Sequence, residues 1–456
     1  MKKNHTYSIS LFALFIGFVA LILSLFTIEY IPFRFKLIIL SILTMVAMAI
    51  LIITKHSFWR FLTGLSLIIV SFYFVGSQYE LNKLSQAHTF ELVDYDLLAV
   101  AELDDEIKNI GFYGVRASHH EELLASFSPN IKFMNYESVD DLAVDLKENK
   151  IQAFLLNSNL VPEAIANPNL DGLELRQVNR YSVKVGSSVQ PQKIDVLDDP
   201  FLVYLSGIDV FGDVVTRSRS DMNLVLAVNP KKHEVLVVTI PRDTYLNLGC
   251  ENNSLDKLTH AGLYGVGCSM KTLENYFGLE FNYYARINFT GLVNLVDAVG
   301  GVNVFSPNEF TTDKGTVFIQ GENHINGQEA LEFARARTQL DRGDIDRGLN
   351  HQYLLEAIMN KMLSENNVYS LPSHLPLLRN VLDTNLSDQD ISKIISNQIS
   401  NQNEWNVRDL DLKGVGAMKH TYSQDKRYKY YVYIPDKKSR DEIMTSIEEV
   451  MNVDGQ

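Results

Sequence analysis

The chain has 456 residues, about three times the ~150 of a common domain, so several folding units are expected rather than one core. With 46% hydrophobic and 21% charged residues, 25 Gly and 12 Pro, it excludes wholesale disorder and a collagen-like or linker-dominated chain. Met1 to Gln78 carries six bases and one acid, Glu29, so the whole-chain charge of −14 divides into +5 there and −19 on the remainder, a field that repels nucleic acid.

Three apolar runs open the chain: Tyr7 to Ile28 (22 residues), Leu37 to Thr54 (18) and Phe61 to Gly76 (16). Each is near the ~20 residues that cross ~30 Å of hydrocarbon. The third can extend back over Phe58 and Trp59 with Arg60 snorkelling. A cleaved signal peptide is the alternative for the first run, but that run is long and no small-residue cleavage site follows it. Lys2, Lys3, Lys55 and Arg60, set against Arg34, Lys36 and Lys83, orient the N-terminus to the cytoplasm. An odd number of spans then leaves everything after Gln78 outside the cell.

The expected organisation is a three-helix membrane anchor over residues 1–78, an external accessory α/β domain over 79–185 and a linker over 186–199. A larger α/β domain follows over 200–370, with its C-terminal part over 371–456. Cys250 and Cys268, the only two cysteines, both fall outside. They form either a disulfide, adding about 3 kcal/mol, or two buried thiols. No His or Cys spacing completes a metal site with them.

In the accessory part, Ile110 to Tyr113, Ile131 to Met134 and Ile151 to Leu156 are apolar, and helical stretches at His119 to Phe127 and Val139 to Glu148 separate them. This β-α-β-α-β order predicts a small module with a parallel component. His119 and His120 are adjacent on a helix, point apart and are expected in a solvated turn.

After the linker residues Gly186 to Gln192, Phe201 to Leu205, Leu224 to Val228 and Val235 to Ile240 are continuous apolar runs of the kind that form buried strands. Helical patterns follow at Lys257 to Phe277, Gly291 to Val299, Gly327 to Phe333 and Asp344 to Leu363. Later strands are expected at Tyr283 to Ile287, Val302 to Phe305, Val407 to Leu412 and Tyr430 to Ile434, with a closing helix at Lys437 to Met451.

Side chains at strand ends converge on ligands in open α/β sheets. Asp209 ends the first strand of this domain, Arg219 and Asp221 begin the second, and Arg242 and Asp243 follow the third. Arg335 and Arg337, two residues apart, face the same way only where the backbone is extended. The 13 residues from Arg335 to Arg347 hold four arginines, including Arg342, among three aspartates, in an otherwise acidic domain. Planar guanidiniums suit bidentate contacts with phosphate oxygens, and nearby aspartates suit Mg²⁺ against a diphosphate. The implied ligand is a pyrophosphate.

Seven motifs carry a family resemblance. They are Ser206-Gly207-Ile208-Asp209, Arg219-Ser220-Asp221, Ile240-Pro241-Arg242-Asp243, Lys257-Leu258-Thr259-His260-Ala261-Gly262, Asn288-Phe289-Thr290, Asp297 to Val302 and the Arg335 to Arg347 block. With them the external domain resembles the LytR-CpsA-Psr family of Gram-positive cell-envelope proteins, and within it the streptococcal capsule-locus members.

The resemblance implies an α/β sandwich catalytic domain that moves a capsular polysaccharide or related anionic glycopolymer from its undecaprenyl-pyrophosphate carrier to peptidoglycan, through a phosphodiester. By motif position Arg242, Arg335, Arg337 and Arg347 would grip the pyrophosphate, with Lys257 and Arg219 assisting. Asp209 and Asp221 would hold Mg²⁺, and Asp344 would orient Arg347 or assist the acceptor. A long apolar slot for the polyprenyl tail is expected between the sheet and the Leu292 to Val296 helix, where core packing is the alternative.

His351 stands where family members often carry a glutamine, and its titration near neutrality would make activity pH-sensitive. Two other functions compete with transfer. One is a membrane regulator or attenuator of capsule expression and assembly that contacts capsule export or regulatory proteins. The other is a lipid-pyrophosphate hydrolase.

Overall fold

The computed structural model describes residues 2–28, 31–53, 57–84, 90–101, 107–187, 189, 194–363, 382–401 and 404–452. Parts of the expected linker (188 and 190–193), the start of the C-terminal segment (371–381) and the last four residues lie outside them.

Three long helices come first: α1 (Lys2–Thr27), α2 (Phe33–Ile53) and α3 (Ser57–Leu84). Within them Tyr7–Thr27, Phe33–Ile50 and Phe58–Gly76 are long and apolar enough to cross a membrane. The third helix runs on through polar residues to Leu84, past the boundary at Gln78 read from hydropathy. α1 and α3 pack closely where two glycines meet, since a methyl group on Gly17 would collide with the Gly64 carbonyl.

The accessory module comprises β1 (Phe90–Val100), β2 (Asn109–Tyr113), α4 (His120–Leu124), β3 (Lys132–Tyr136), α5 (Val139–Lys147), β4 (Ala153–Asn157), α6 (Val161–Ile165) and β5 (Leu175–Gly186). Its sheet order is β3-β2-β4-β1-β5, with β2 parallel to β3 and β4, and β1 antiparallel to β4 and β5. The expected β-α-β-α-β unit is therefore present, extended by two long antiparallel strands. His119 is a correction: it is buried, with Nδ1 2.7 Å from the Tyr95 hydroxyl, because the turn before α4 folds onto β1.

The larger domain begins with β6 (Phe201–Ile208), β7 (Ser220–Asn229), β8 (Glu234–Thr239), β9 (Tyr245–Asn247), β10 (Leu255–Lys257), α7 (Leu258–Ala261), α8 (Val266–Phe277), β11 (Tyr283–Asn288) and α9 (Phe289–Ala298). It continues with β12 (Val302–Ser306), β13 (Phe310–Thr311), β14 (Val317–Phe318), β15 (Gly321–Ile325), α10 (Gly327–Arg335) and α11 (Asp344–Leu363). It closes with β16 (Leu382–Thr384), α12 (Asp388–Asn401), β17 (Asn406–Asp411), β18 (Gly414–Lys419), β19 (Tyr430–Pro435) and α13 (Lys437–Met451).

Six strands form the central sheet in the order β16-β11-β6-β7-β8-β17. One face packs on α8 and α13 through Leu202, Tyr204, Val225, Leu273, Phe277, Ile443 and Ile447. The other carries Leu224, Val235 and Val237 under Leu355 and Met359 of α11. The result is an α/β sandwich, and burial on both faces explains why the strands read as unbroken apolar runs. The expected helix Lys257 to Phe277 is instead broken at Gly265, whose φ of 106° ends the first piece and begins α8.

The sheet direction sets the site. β6 runs parallel to β11 and antiparallel to β7, which is antiparallel to β8. The C-terminal ends of β6, β8 and β11 and the N-terminal end of β7 thus share one rim.

Candidate active site

That rim opens into a cavity of about 420 Å³. Asp209 reaches it from the end of β6, Arg219 and Asp221 from the start of β7, Arg242 from the turn after β8, Arg335 from the end of α10, and Arg347 and His351 from the first turns of α11. Arg337 also lines it. Ala336, between the two arginines, is buried with φ −55° and ψ 131°. The helix therefore stops at Arg335 and extended backbone carries the chain to Arg337, so both guanidiniums leave the same edge.

The remaining wall is apolar: Leu205, Met222, Ile287, Leu292, Leu295, Leu354 and Ile358. Charge thus gathers at one end and hydrocarbon at the other. The cavity runs beside the Leu292 to Val296 helix, where the slot is expected, and α11 adds Leu354 and Ile358, which sequence reasoning did not place there.

Asp221 organises the charged end. Arg242 Nη1 donates to both of its oxygens at 2.8 Å, the Thr259 hydroxyl donates at 3.2 Å, and Arg347 Nη1 lies 3.9 Å away. Burial pushes its carboxyl up, but Arg242 and then Arg347 overcome this and hold it below the usual carboxylate range. Asp209 goes the other way: burial and then the Asp221 charge push it up, against Arg335, Arg219 and Arg242. Arg335 stacks its guanidinium 4.8 Å from the centre of the Phe289 ring, and Asn288 caps α9 by accepting from Gly291 N at 2.8 Å.

Two expected site residues require correction. Lys257 does not line the cavity; its Nζ is 3.0 Å from Asp243, because β10 turns it behind the Arg242 loop. The whole Lys-Leu-Thr-His motif works from behind, Thr259 on Asp221 and His260 on Asp256 at 2.6 Å. His351 is buried with its pKa pushed down to about 4, by burial and then by Arg347, so it stays neutral near pH 7. Its Nε2 donates to Ala334 O at 2.8 Å and, with Asn350 Nδ2 donating to Phe333 O at 3.0 Å, fixes the end of α10 that carries Arg335.

Arg342 turns outward onto Asp346, with Nε donating to Oδ1 at 2.8 Å. Asp344 opens α11, and its side chain lies outside the described residues. Among the described residues no group of three or more His, Cys, Asp or Glu could hold a metal ion. Cys250 and Cys268 are joined as a disulfide behind the sheet.

The accessory module reaches this rim, which sequence reasoning missed. Glu91 of β1 accepts from Arg217 Nε at 2.9 Å and Arg286 Nη1 at 2.9 Å, and Arg286 Nη2 donates to Asp383 at 2.7 Å, all four side chains being buried. Arg219 Nη2 donates to the Asn159 carbonyl at 3.2 Å. Leu92 exchanges backbone hydrogen bonds with Val215 and Arg217, so β1 pairs with the loop between Asp209 and Asp221.

The LytR_cpsA_psr family model matches residues 174–449. The polyisoprenyl-teichoic acid–peptidoglycan teichoic acid transferase TagU of Bacillus mycoides is 32% identical over 262 residues, 57% of this chain and 81% of the relative. TagU of Enterococcus faecalis is 35% identical over 222 residues, 48% of this chain and 72% of the relative. Among solved structures, B. subtilis TagV is 25% identical and the match covers 56% of this chain and 98% of that one, with a TM-score of 0.48. With the family model covering 276 of 456 residues, the chain belongs to the LytR-CpsA-Psr family.

Proposed function

We propose that this protein is a membrane-anchored transferase that moves a glycopolymer from a polyisoprenyl-pyrophosphate carrier to peptidoglycan. The observation that carries the reading is the single cavity with guanidiniums at one end and hydrocarbon side chains at the other. A lipid diphosphate has that polarity. The names of the TagU relatives, which act on polyisoprenyl-teichoic acid and peptidoglycan, support the same substrate classes.

Arg335, Arg337 and Arg347 hold the diphosphate oxygens, and Asp221 keeps Arg242 and Arg347 aimed at them. The acceptor hydroxyl oxygen bonds to the phosphorus next to the glycan and gives its proton to solvent. The bond from that phosphorus to the bridging oxygen breaks, and polyisoprenyl phosphate leaves. Guanidiniums already in place stabilise the charge on the leaving oxygen without reorganisation.

Asp209 and Asp221 fit Mg²⁺. They line one cavity, the raised Asp209 marks two acids near enough to oppose each other's ionisation, and Mg²⁺ is commonly held by one or two carboxylates plus substrate phosphates. When bound, it would neutralise phosphate charge.

The anchor supports an external site. Arg34, in the first turn of α2, donates to Ser400 O, and Ile28 and Phe35 pack with Ile395 and Ile399 of α12. In this reading the catalytic domain and the start of α2 that touches it are external, and the N-terminus, across one span, is cytoplasmic. The disulfide fits an oxidising exterior. The polymer is a capsular polysaccharide or related anionic glycopolymer, and the carrier lipid is undecaprenyl.

The test is transfer by the purified full-length protein from a lipid-pyrophosphate-linked glycan to peptidoglycan, with product analysis. Arg335→Ala and Arg337→Ala should each lower transfer by about 10²–10³. Transfer that survives both changes, or water as the sole acceptor, overturns the reading.

A further inference from the structure

A second recess, of about 230 Å³, lies on the other side of Arg335. Phe211, Thr312, Asp313, Gln328 and Gln339 line it together with Arg335. Phe211 is 60% exposed, and its ring lies edge-on to Phe289, with centroids 5.1 Å apart. Phe289 in turn carries the Arg335 guanidinium and lines the main cavity. Phe211, Phe289 and Arg335 therefore form a partition with the main cavity on one side and the recess on the other.

The chemistry of the recess differs from that of the cavity. Two amides, the Asp313 and Glu332 carboxylates, the Lys314 ammonium and the Thr312 hydroxyl, which donates to Glu332 at 2.9 Å, offer donors and acceptors beside an exposed aromatic face. Gln339 Nε2 donates to Asp313 Oδ1 at 2.6 Å while its Oε1 accepts from Arg337 N at 3.1 Å, so the recess is tied to the backbone of the arginine pair. A sugar ring matches this set, with hydroxyls for the amides and acids and a C–H face for the phenyl ring.

Reaction geometry gives the recess its place. Displacement at phosphorus sets the incoming oxygen in line with the leaving one and on the opposite side. If polyisoprenyl phosphate leaves toward the apolar cavity, the incoming saccharide approaches from across the Arg335 partition. We propose that the recess is a saccharide subsite that seats a sugar ring beside the phosphorus. The inference rests on the transferase reading. The acceptor glycan is the source favoured by the in-line geometry, and the donor glycan is the other source of the same chemistry.

The test compares the full-length parent with Phe211→Ala and Phe211→Trp, first by calorimetric binding of a soluble peptidoglycan oligosaccharide and then by transfer kinetics with donor and acceptor varied separately. Phe211→Ala should weaken oligosaccharide binding and raise the acceptor KM about tenfold, and Phe211→Trp should restore both. A rise confined to the donor KM, and kept with a single-sugar donor, supports the subsite and assigns it to the donor. Unchanged binding and unchanged KM for both substrates overturn it. Aromatic-dependent binding in a parent that makes no transfer product would instead count against the transferase reading and leave the subsite standing.

Discussion

Arg242 gives one nitrogen, Nη1, to both carboxylate oxygens of Asp221 at 2.8 Å, and it does so in a wall of the cavity rather than on the surface. The acid therefore orients one cavity arginine directly and a second, Arg347, through its charge. Asp221→Ala should remove that orientation, leaving Asp243, 3.9 Å from Arg242 Nε, to answer only part of the charge of a half-buried guanidinium. Transfer is expected to fall by at least about 10²-fold and stability by about 1–3 kcal/mol. Asp221→Asn, which keeps an oxygen acceptor, should regain part of the stability and little of the transfer, as measured by product formation and denaturant unfolding.

A neutral His351 has a pH consequence that can be worked out. Its folded pKa, about 4, lies below the ordinary 6.5, so between those values the unfolded chain binds a proton that the folded chain does not. Stability should fall as pH drops from about 6.5 to about 4 and become level below that, by on the order of 3 kcal/mol in all. His351→Gln can still donate to Ala334 O and should lose this component of the acid transition in melting curves. Its pH–rate profile near neutrality should match the parent's. A parent profile with a step near pH 6.5 that vanishes in His351→Gln would contradict a neutral, positioning histidine.

Glu91 links the accessory module to the rim through two buried arginines. Its pKa is pushed up by burial, but Arg286 and Arg217 reverse this and hold it below the usual range. Glu91→Ala leaves Arg217 without this partner and should cost about 3–5 kcal/mol by denaturant unfolding. Arg286 keeps Asp383. A change under about 1 kcal/mol would contradict the buried network.

The same network explains what the sequence concealed. β1 carries Glu91, Asp94 and Asp96 at buried positions, matched by Arg217, Ser182 and Arg180, so a buried strand reads as a polar segment. β5 is largely exposed and offers little apolar alternation. By contrast β6, β7 and β8 are covered on both faces and were legible as apolar runs. At the site, Asp209, Asp221, Arg242, Arg335, Arg337 and Arg347 were legible because strand and helix ends concentrate charge at one rim. For Lys257 no spacing tells whether a lysine beside such a rim faces the cavity or, as here, the acid behind it. Leu354 and Ile358 fall on the inner face of α11, where a cavity wall and a core are written with the same residues.

The most direct measurement is a structure of the full-length protein with a short polyisoprenyl pyrophosphate. The diphosphate should lie against Arg335 and Arg337, with the hydrocarbon chain running between α9 and α11 toward Leu292 and Ile358. A diphosphate bound elsewhere, or a chain lying outside that cavity, would contradict the central claim that these charges and that hydrocarbon wall form one lipid-diphosphate site.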